Sequence, residues 1–176
     1  GLATVCIRPH LIWGPGDPYL LPRIVERAKN RKLIRVGEGT NWVDMIYIDN
    51  AVEAHIKACE NLELNSPVAG KCYFVSDDKP VLLWEWIEEV LIQLKLPGVT
   101  KSISFKHAFR LGKILEIFYK ILLIKKEPPM TRFLATQLAK SHYFSIAQSK
   151  QDFGYKPLVT NEEGIKRLVN DYFSRQ

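Results

Sequence analysis

The first part of the chain alternates between short β-branched runs and stretches whose apolar residues recur on one side of a helix. Strands are predicted at residues 4–7, 33–36 and 42–48. Helices are predicted over residues 20–30, beginning near Pro22, and over residues 50–62, after a cap formed by Asp49 or Asn50. Strands separated by helices favour parallel pairing in one sheet.

The later part of the chain is predicted to be mainly helical. The predicted elements are a strand at 71–75 and helices at 82–94, 104–126 and 131–140. Pro128 and Pro129 end the longest of these helices. Residues 145–148 and 160–163 have capping-box patterns, which predict the start of a short helix and of the final one. The pattern as a whole predicts an α/β unit followed by a helical tail.

The stretch that follows the first strand, from Arg8 to Asp17, carries the strongest functional signal. Pro9 has no amide hydrogen and biases Arg8 towards extended geometry, so the strand cannot continue into a helix. Residues 14–17, Gly-Pro-Gly-Asp, form a turn cluster. Open α/β sheets bind ligands where irregular loops leave the carboxyl ends of their strands. We therefore expect a ligand site at this loop.

The same stretch resembles the Arg-Pro-x-x-Ile-(Tyr/Trp)-Gly-Pro-Gly-Asp segment of extended short-chain dehydrogenases/reductases. The closest branch is that of the 3β-hydroxysteroid dehydrogenases, which includes sterol-4α-carboxylate 3-dehydrogenase-like proteins. Matching segments follow in the family's order at residues 21–25, 43–50, 127–132, 141–144 and 153–157. The resemblance implies the C-terminal part of a Rossmann-like fold, with sheet and substrate loops in residues 1–80 and a mainly helical substrate-side region in residues 81–176.

The resemblance also implies the residues of the site. In the family this loop passes beside the nicotinamide of NAD or NADP. The cofactor-binding residues are then Pro9, His10, Leu11 and Ile12. The substrate-binding residues are Trp13, Tyr19 and Met45. A purely structural alternative stays open for Trp13, because large aromatic side chains prefer burial. Asp17 and Asp49 are expected to serve a turn and a helix cap.

Two parts of the family's machinery are absent from this sequence. No strand is followed by a Gly-x-x-Gly-x-x-Gly loop, which would bring amide hydrogens to a pyrophosphate. No tyrosine is followed by a lysine four residues later, so the catalytic Tyr/Lys pair is missing and no residue of this chain is assigned as catalytic. We expect a C-terminal fragment of an NAD(P)-dependent oxidoreductase, with an autonomous domain as the alternative.

The residue before Asp44 bears on the substrate. In nucleotide-sugar members of the superfamily an arginine in this place grips the phosphates, and this chain has Val43 there. Valine cannot form the bidentate contacts of a guanidinium. The resemblance therefore implies a sterol-like substrate whose 3β-hydroxyl is oxidised. A nucleotide-sugar or small-alcohol reductase and a non-catalytic membrane-docking module remain as alternatives.

Residues 105–126 combine an apolar helix face with a cationic one. The basic residues that share a face are Lys106, Arg110, Lys113 and Lys120. This pattern is typical of a helix lying on an anionic membrane. The longest unbroken apolar run, Ile121 to Ile124, is far below the roughly 20 residues that span a bilayer. A surface helix that packs its apolar side on the enzyme is the alternative.

Composition narrows the remaining classes. The formal net charge of +6 comes without a basic stripe interleaved with aromatics, so we expect no nucleic-acid partner. The three cysteines, Cys6, Cys59 and Cys72, are predicted to be small buried side chains in a reducing compartment, without a disulfide. No metal is expected, because the histidines lack ligand spacing. The expected location is intracellular, either cytoplasmic or peripheral to the endoplasmic reticulum or inner membrane, and a homodimer of the parent stays open.

Overall fold

A computed structural model describes residues 1–175 of the chain. Its strands are β1 (Cys6–Pro9), β2 (Ile12–Trp13), β3 (Ile34–Val36), β4 (Trp42–Val43), β5 (Ile46–Tyr47), β6 (Cys72–Val75), β7 (Val81–Leu82) and β8 (Lys101–Ile103). Its helices are α1 (Leu20–Lys29), α2 (Ile48–Glu60), α3 (Leu83–Gln93), α4 (Phe105–Ile121), α5 (Arg132–Ala139), α6 (Ala147–Phe153) and α7 (Asn161–Ser174). The predicted α/β class is confirmed.

Three strand pairs are parallel, as the alternation of strands and helices predicts. β1 pairs with β6, β2 pairs with β5, and β3 pairs with β8. In the longest pair the register runs from Cys6 opposite Cys72 to Pro9 opposite Val75. The carboxyl ends of β1 and β6 therefore lie side by side, and the loop after Pro9 leaves from this end.

The chain divides into two compact units that interleave along the sequence. The first consists of residues 1–23, 44–81 and those from 143 onwards, and the second of residues 24–43 and 82–142. The first unit thus contains the predicted loop, and the second contains the predicted membrane helix. The division at residue 80, which concerns the family's sheet and substrate region, stays a prediction.

The first unit has a core in which small side chains on α2 meet large ones from the strands and the C-terminal segment. Ala51, Ala54 and Ala58 share one buried face of α2, and α2 packs against β1 and β5. Alanines let a helix approach a sheet closely. The apolar surface that this contact buries stabilises the fold by about 25 cal/mol per Å². The core residues around them are Ile46, Val68, Tyr73, Val75, Ile146, Phe153 and Tyr155.

Several predicted boundaries differ from the structure. The predicted strand 42–48 is split into β4, which pairs with β7, and β5, which pairs with β2. Residues 43–47 are all buried and do not alternate between core and solvent. The helix predicted over 104–126 ends at Ile121, and Leu123 takes a left-handed φ of 52°. The strand β8 was not anticipated.

Two predicted caps are wrong and one is confirmed. The residue before α2 is Tyr47, which makes no side-chain cap, and Asp49 lies in the exposed first turn, where it pairs with Arg167 at 3.0 Å. The box at residues 145–148 does not form, because α6 begins after Ile146. Thr160 does cap α7, with its hydroxyl accepting from the Glu163 amide at 3.3 Å.

The cysteines correct a further prediction. All three are exposed, whereas small buried side chains were expected. Cys6 and Cys72 lie on the face of the β1–β6 pair that is turned away from the α2 side of the core, and Cys59 lies on the exposed side of α2. Alternation along a strand puts every second residue on the face opposite the core, and this decides the exposure of the first two.

In the second unit, α4 and α5 cross at a glycine. A Cβ placed on Gly112 would lie 2.6 Å from the carbonyl carbon of Thr131 and 2.7 Å from the Arg132 amide. Both of these are backbone atoms at the start of α5, which cannot move as a side chain can. Glu116 reinforces the crossing, since its carboxylate accepts from the Arg132 amide and side chain at 2.7 Å.

Gly112→Ala should therefore destabilise the chain by roughly 1–3 kcal/mol, because the added methyl group overpacks the crossing. Helix propensity alone would give the opposite sign, a gain of up to about 1 kcal/mol. Urea unfolding followed by circular dichroism measures the difference. Lys113→Ala, at the next and exposed position of the same helix, is the matched control and should change stability little. A Gly112→Ala variant at least as stable as the wild type would contradict the packing account.

Candidate functional site

The candidate site lies where β1 ends and the chain turns towards β2. The His10 amide donates to the Val75 carbonyl oxygen at 3.3 Å, which continues the β1–β6 ladder. The His10 Nδ1 lies 2.9 Å from the Asp44 carbonyl oxygen, and because a carbonyl only accepts, Nδ1 carries the hydrogen. The ring meets Phe144 edge-on, with centroids 5.2 Å apart. These contacts fix a half-buried imidazole at the strand end.

The next residues turn the chain sharply. Leu11 has a φ of 44°, in the left-handed region that non-glycine residues rarely adopt, and its carbonyl oxygen accepts from the Ile46 amide at 3.3 Å. Ile12 then pairs with Ile46 and remains 42% exposed. Pro9, His10 and Leu11 are half-buried. The four predicted cofactor-binding residues thus form one continuous, partly accessible segment, and their contact with a cofactor stays a prediction.

Trp13 points inward. Its ring is fully buried and meets the buried Tyr47 ring edge-on at 5.2 Å. Gly164 in α7 lies against both rings, since a Cβ there would come within 2.8 Å of each. Any side chain at residue 164 would push α7 away from the loop. The two rings therefore anchor the loop to the C-terminal helix.

The three predicted substrate-binding residues do not share an exposed surface of the first unit. Trp13 and Met45 are buried, whereas Tyr19 is 72% exposed. Met45 contributes a backbone contact, with its carbonyl oxygen accepting from the Asp77 amide at 2.8 Å. Trp13 is packed in the core, which is the structural alternative that the sequence left open for it. Direct substrate contact by any of the three stays a prediction.

Asp17 has the structural role that its turn cluster predicts. Its carboxylate accepts from the amides of Tyr19, Leu20 and Leu21 at 2.8, 3.1 and 2.8 Å. These are the amides that have no partner within a helix at the start of α1, and a carboxylate there also complements the helix dipole. The loop is thus closed at its far end by the helix cap.

Two carboxylates that were not anticipated as a pair, the buried Asp44 and the half-buried Asp77, lie on the core side of the loop. Asp44 is almost fully buried and accepts from the Phe144 amide at 2.6 Å, and burial raises the pKa of its carboxyl. Asp77 follows β6 and accepts from the Tyr47 amide at 3.1 Å and from the Asn50 side chain at 2.7 Å. Burial raises the pKa of Asp77 to about 6, although those hydrogen bonds act in the opposite direction.

An aromatic pair beside the loop was also missed. The rings of Phe74 and Phe144 stack at 4.1 Å with an angle of 2° between their planes. The Arg8 guanidinium lies 5.9 Å from the centre of the Phe74 ring, and the His10 ring meets the Phe144 ring edge-on. Both phenylalanines are more than a third exposed. In sequence Phe144 lies far from the loop, and only its place in the family motif Ser-His-Tyr-Phe marks it.

The predicted membrane residues lie in the second unit, on α4. Lys106, Arg110, Lys113 and Lys120 are all exposed. Large apolar side chains are exposed on the same helix, namely Leu111, Ile114, Ile117, Phe118 and Ile121. Within residues 1–175 no helix has the length and apolar character to cross a bilayer. Across the same residues no cluster of three metal-ligating side chains forms.

Comparison with known proteins places this geometry in a class. The fold is shared with UDP-glucuronic acid 4-epimerase from Bacillus cereus in complex with NAD, with a TM-score of 0.59 and 15% identity over 97% of this chain and 45% of that one. This likeness shows the fold alone, which is that of the Rossmann-like extended dehydrogenases/reductases.

The sequence narrows the class to a family. Residues 1–106 match the 3-beta hydroxysteroid dehydrogenase/isomerase family, and the chain belongs to it. The chain is 48% identical to 2-alkyl-3-oxoalkanoate reductase from Stenotrophomonas maltophilia, over 95% of this chain and 51% of that protein. It is 32% identical to sterol-4-alpha-carboxylate 3-dehydrogenase, decarboxylating, from Mus musculus, over 96% of this chain and 48% of that protein. The family resemblance found in the motifs is confirmed.

The chain therefore spans about half the length of the curated relatives it matches. The family consists of NAD(P)-dependent oxidoreductases that act on small molecules. The segment from Pro9 to Ile12 is partly accessible and offers apolar side chains on which a flat nicotinamide ring could rest. The sequence contains no glycine loop that could hold the pyrophosphate, so this chain fits the nicotinamide end alone.

The half-buried Asp77 gives the first unit a characteristic pH dependence. Its pKa of about 6 in the folded chain exceeds the ordinary 3.8, so between these values the folded state binds more protons than the unfolded one. The contribution of this group to stability is therefore present at low pH and is lost as pH rises through about 6.

Asp77→Asn removes this titration. Relative to the wild type, the variant should gain on the order of 1–3 kcal/mol of unfolding free energy between pH 4.5 and pH 7.5. Urea unfolding at the two pH values measures it, with Asp49→Asn as the exposed control that should show no such gain. A difference between Asp77→Asn and wild type that is the same at both pH values would contradict the assignment.

Proposed function

We propose that this chain is the substrate-side part of an NAD(P)-dependent oxidoreductase that interconverts a hydroxyl and a keto group on the carbon β to a carboxylate. The observation that carries the proposal is the match of nearly the whole chain to two relatives whose names share this chemistry. The loop from Pro9 to Ile12, accessible at the carboxyl end of β1, supports it.

The two named substrates have one reacting group in common. A 2-alkyl-3-oxoalkanoate has its keto carbon β to the carboxylate and an alkyl branch on the carbon between them. A sterol 4α-carboxylate has its 3-hydroxyl on the carbon β to the carboxylate, and the intervening carbon is again alkylated. In both cases the alcohol and the ketone differ by one hydride and one proton. A sterol substrate and an open-chain substrate are thus two forms of one reacting unit.

The residue at position 43 favours a substrate that is uncharged and apolar outside its reacting group and carboxylate. Val43 is fully buried and provides no cation for a diphosphate. The exposed phenylalanine pair Phe74 and Phe144 offers apolar surface beside the loop. These features favour a substrate whose remainder is hydrocarbon over a nucleotide sugar.

The bound nicotinamide would supply or accept the hydride. The contribution of this chain is to present the apolar side of Pro9–Ile12 to the ring and to hold that segment still through His10 and Trp13. The Tyr/Lys pair that handles the hydroxyl proton in the family is absent from this sequence. We therefore assign no proton transfer to a residue of this chain.

A chimera tests the proposal. Residues 1–176 replace the matching half of the Stenotrophomonas reductase, and the absorbance of NADH or NADPH is followed at 340 nm. The absorbance falls when a keto acid is reduced by the reduced cofactor and rises when an alcohol is oxidised by the oxidised cofactor. We expect reduction of a 2-alkyl-3-oxoalkanoate and oxidation of a sterol 4α-carboxylate. For both substrates kcat/KM should be at least roughly 100-fold above that for UDP-glucose, a difference of about 2.7 kcal/mol in activation free energy. A soluble, folded chimera that prefers the nucleotide sugar would overturn the proposal.

The predicted cofactor contact has a matched pair of variants. Ile12→Ala should raise the KM for the nicotinamide cofactor roughly 3- to 10-fold in the chimera, because part of an apolar contact is lost. Ile92→Ala is the control, since Ile92 on α3 is exposed to 71% and is not part of the loop. Equal effects of the two substitutions would place the cofactor elsewhere.

We also propose that α4 lies on an anionic membrane surface. The specific observation is that its outward side is apolar, through Ile114, Phe118 and Ile121, while its basic residues border that side. The buried residues of α4, Ala108 and Gly112, lie on the opposite side. Each basic side chain near an anionic surface contributes about 1 kcal/mol, and shallow insertion of the apolar side adds to this. Peripheral location at a membrane is part of the same proposal.

Vesicle co-sedimentation at low salt tests this surface. The chain should bind phosphatidylcholine vesicles that contain phosphatidylglycerol, bind pure phosphatidylcholine weakly, and dissociate as salt rises. Reversal of Lys106, Arg110, Lys113 and Lys120 to Glu should abolish binding. The control reverses Lys29, Lys32, Lys156 and Lys166, which are equally exposed and change the net charge by the same amount. If both fourfold variants lose binding equally, net charge rather than α4 is responsible.

A further inference from the structure

One face of the β1–β6 pair brings two cysteines together. Cys6 and Cys72 are register partners on adjacent parallel strands, and both are exposed. The next pair on the same face is Arg8 and Phe74, and the Arg8 Cζ lies 5.9 Å from the centre of the Phe74 ring. Register partners in a parallel pair project to the same side, so the two thiols face one another across the strands. The two cysteines are 66 positions apart in sequence, and no local pattern indicates their pairing.

The guanidinium of Arg8 lies beside this pair of thiols. The Arg8 Nη2 lies 3.6 Å from the Cys72 Sγ. A hydrogen bond with Cys6 and the attraction of Cys72 raise the pKa of Arg8 above its ordinary value, which places Cys6 beside the same cation. Cationic neighbours and solvent access are the shared features of reactive protein thiols. Cys6 and Cys72 have both features.

The spacing suits a bond between the two side chains. Neighbouring strands lie about 4.7–4.9 Å apart, which falls inside the Cα separation of about 4.4–6.8 Å that disulfides span. The Cβ atoms must approach to about 3.5–4.5 Å, so the strands would shift slightly on bond formation. Strained and exposed disulfides are the ones that small thiols reduce easily.

We propose that Cys6 and Cys72 form a reversible oxidation site that closes into a cross-strand disulfide in the presence of a peroxide. The thiolate of one cysteine attacks the peroxide O–O bond, which gives a sulfenic acid and releases water. The second thiol then displaces water from that sulfur and forms the S–S bond. In total, two thiols and one hydrogen peroxide give one disulfide and two waters, and two small thiols reverse the change.

Cys59 provides an internal control. It is also exposed, but it lies on α2 and has no cysteine opposite it in a strand pair. The proposal therefore predicts one fast pair and one slower thiol in the same molecule. Any general effect of peroxide on exposed thiols would act on all three cysteines alike.

The test treats the 176-residue chain with one equivalent of hydrogen peroxide, followed by an alkylating quench and digestion without reductant. Mass spectrometry should detect a peptide pair linked through Cys6 and Cys72, with loss of two hydrogens, while Cys59 stays alkylated. Dithiothreitol should restore both thiols. Oxidation of all three cysteines at equal rates, links between molecules alone, or alkylation of Cys6 and Cys72 in full would each overturn the proposal.

Variants separate the pair from its surroundings. Cys72→Ser should abolish the intramolecular link, and Cys59→Ser should leave its rate unchanged. Arg8→Gln should slow closure roughly 3- to 10-fold, since the cationic neighbour is lost. Circular dichroism confirms that each variant folds, as expected for exposed positions. An unchanged rate in Arg8→Gln would contradict the part assigned to the guanidinium.

Discussion

The first unit depends on the hydrogen bonds of one buried side-chain amide, that of Asn50. Its Nδ2 donates to Asp77 at 2.7 Å and to the Val159 carbonyl oxygen at 2.8 Å, and its Oδ1 accepts from the amides of Leu158 and Val159 at 2.8 and 2.9 Å. A fully buried amide with these partners is satisfied on both sides. It joins the start of α2, the end of β6 and the segment before α7. The Asp77 carboxylate also accepts from the amide of Tyr47, whose ring packs edge-on against Trp13. The loop is therefore linked through Tyr47 to this polar contact in the core.

The elements with a regular apolar period were predictable, and the polar contacts that hold them were not. The α4 pattern and the Thr160 cap follow from local sequence, and family motifs located the loop after Pro9. The cap of α2 was expected from Asp49 or Asn50, because these residue types commonly cap the start of a helix. Asn50 instead binds residues outside α2. Its actual partners lie up to 109 residues away, and no local pattern encodes them. The burial of residues 43–47 on both sides likewise follows from tertiary packing.

The candidate site shows the same division between local and distant information. Residues Pro9 to Ile12 run from the end of β1 into β2, where the pattern of a strand before a glycine-rich turn locates them. Their contact with a cofactor stays a prediction. The local sequence pattern did not predict the direction in which each side chain of the site points. Trp13 turned inward because Gly164 lets α7 reach its ring, and the Phe144 ring arrived beside His10 through the buried Asp44 carboxylate. Both depend on residues more than a hundred positions further along the chain.

The interleaving of the first unit has a consequence for synthesis of the chain on the ribosome. Its core needs Ile146, Phe153 and Tyr155, which are made after the whole second unit. Until then α2 and β6 lack the residues that cover them, and the Asn50 amide lacks two of its partners. Contacts this distant in sequence are slow to form and leave apolar surface open to other chains. The second unit, by contrast, can complete its α4–α5 crossing while residues after 142 are still being translated, so the nascent chain should present a finished helical part beside an unfinished one.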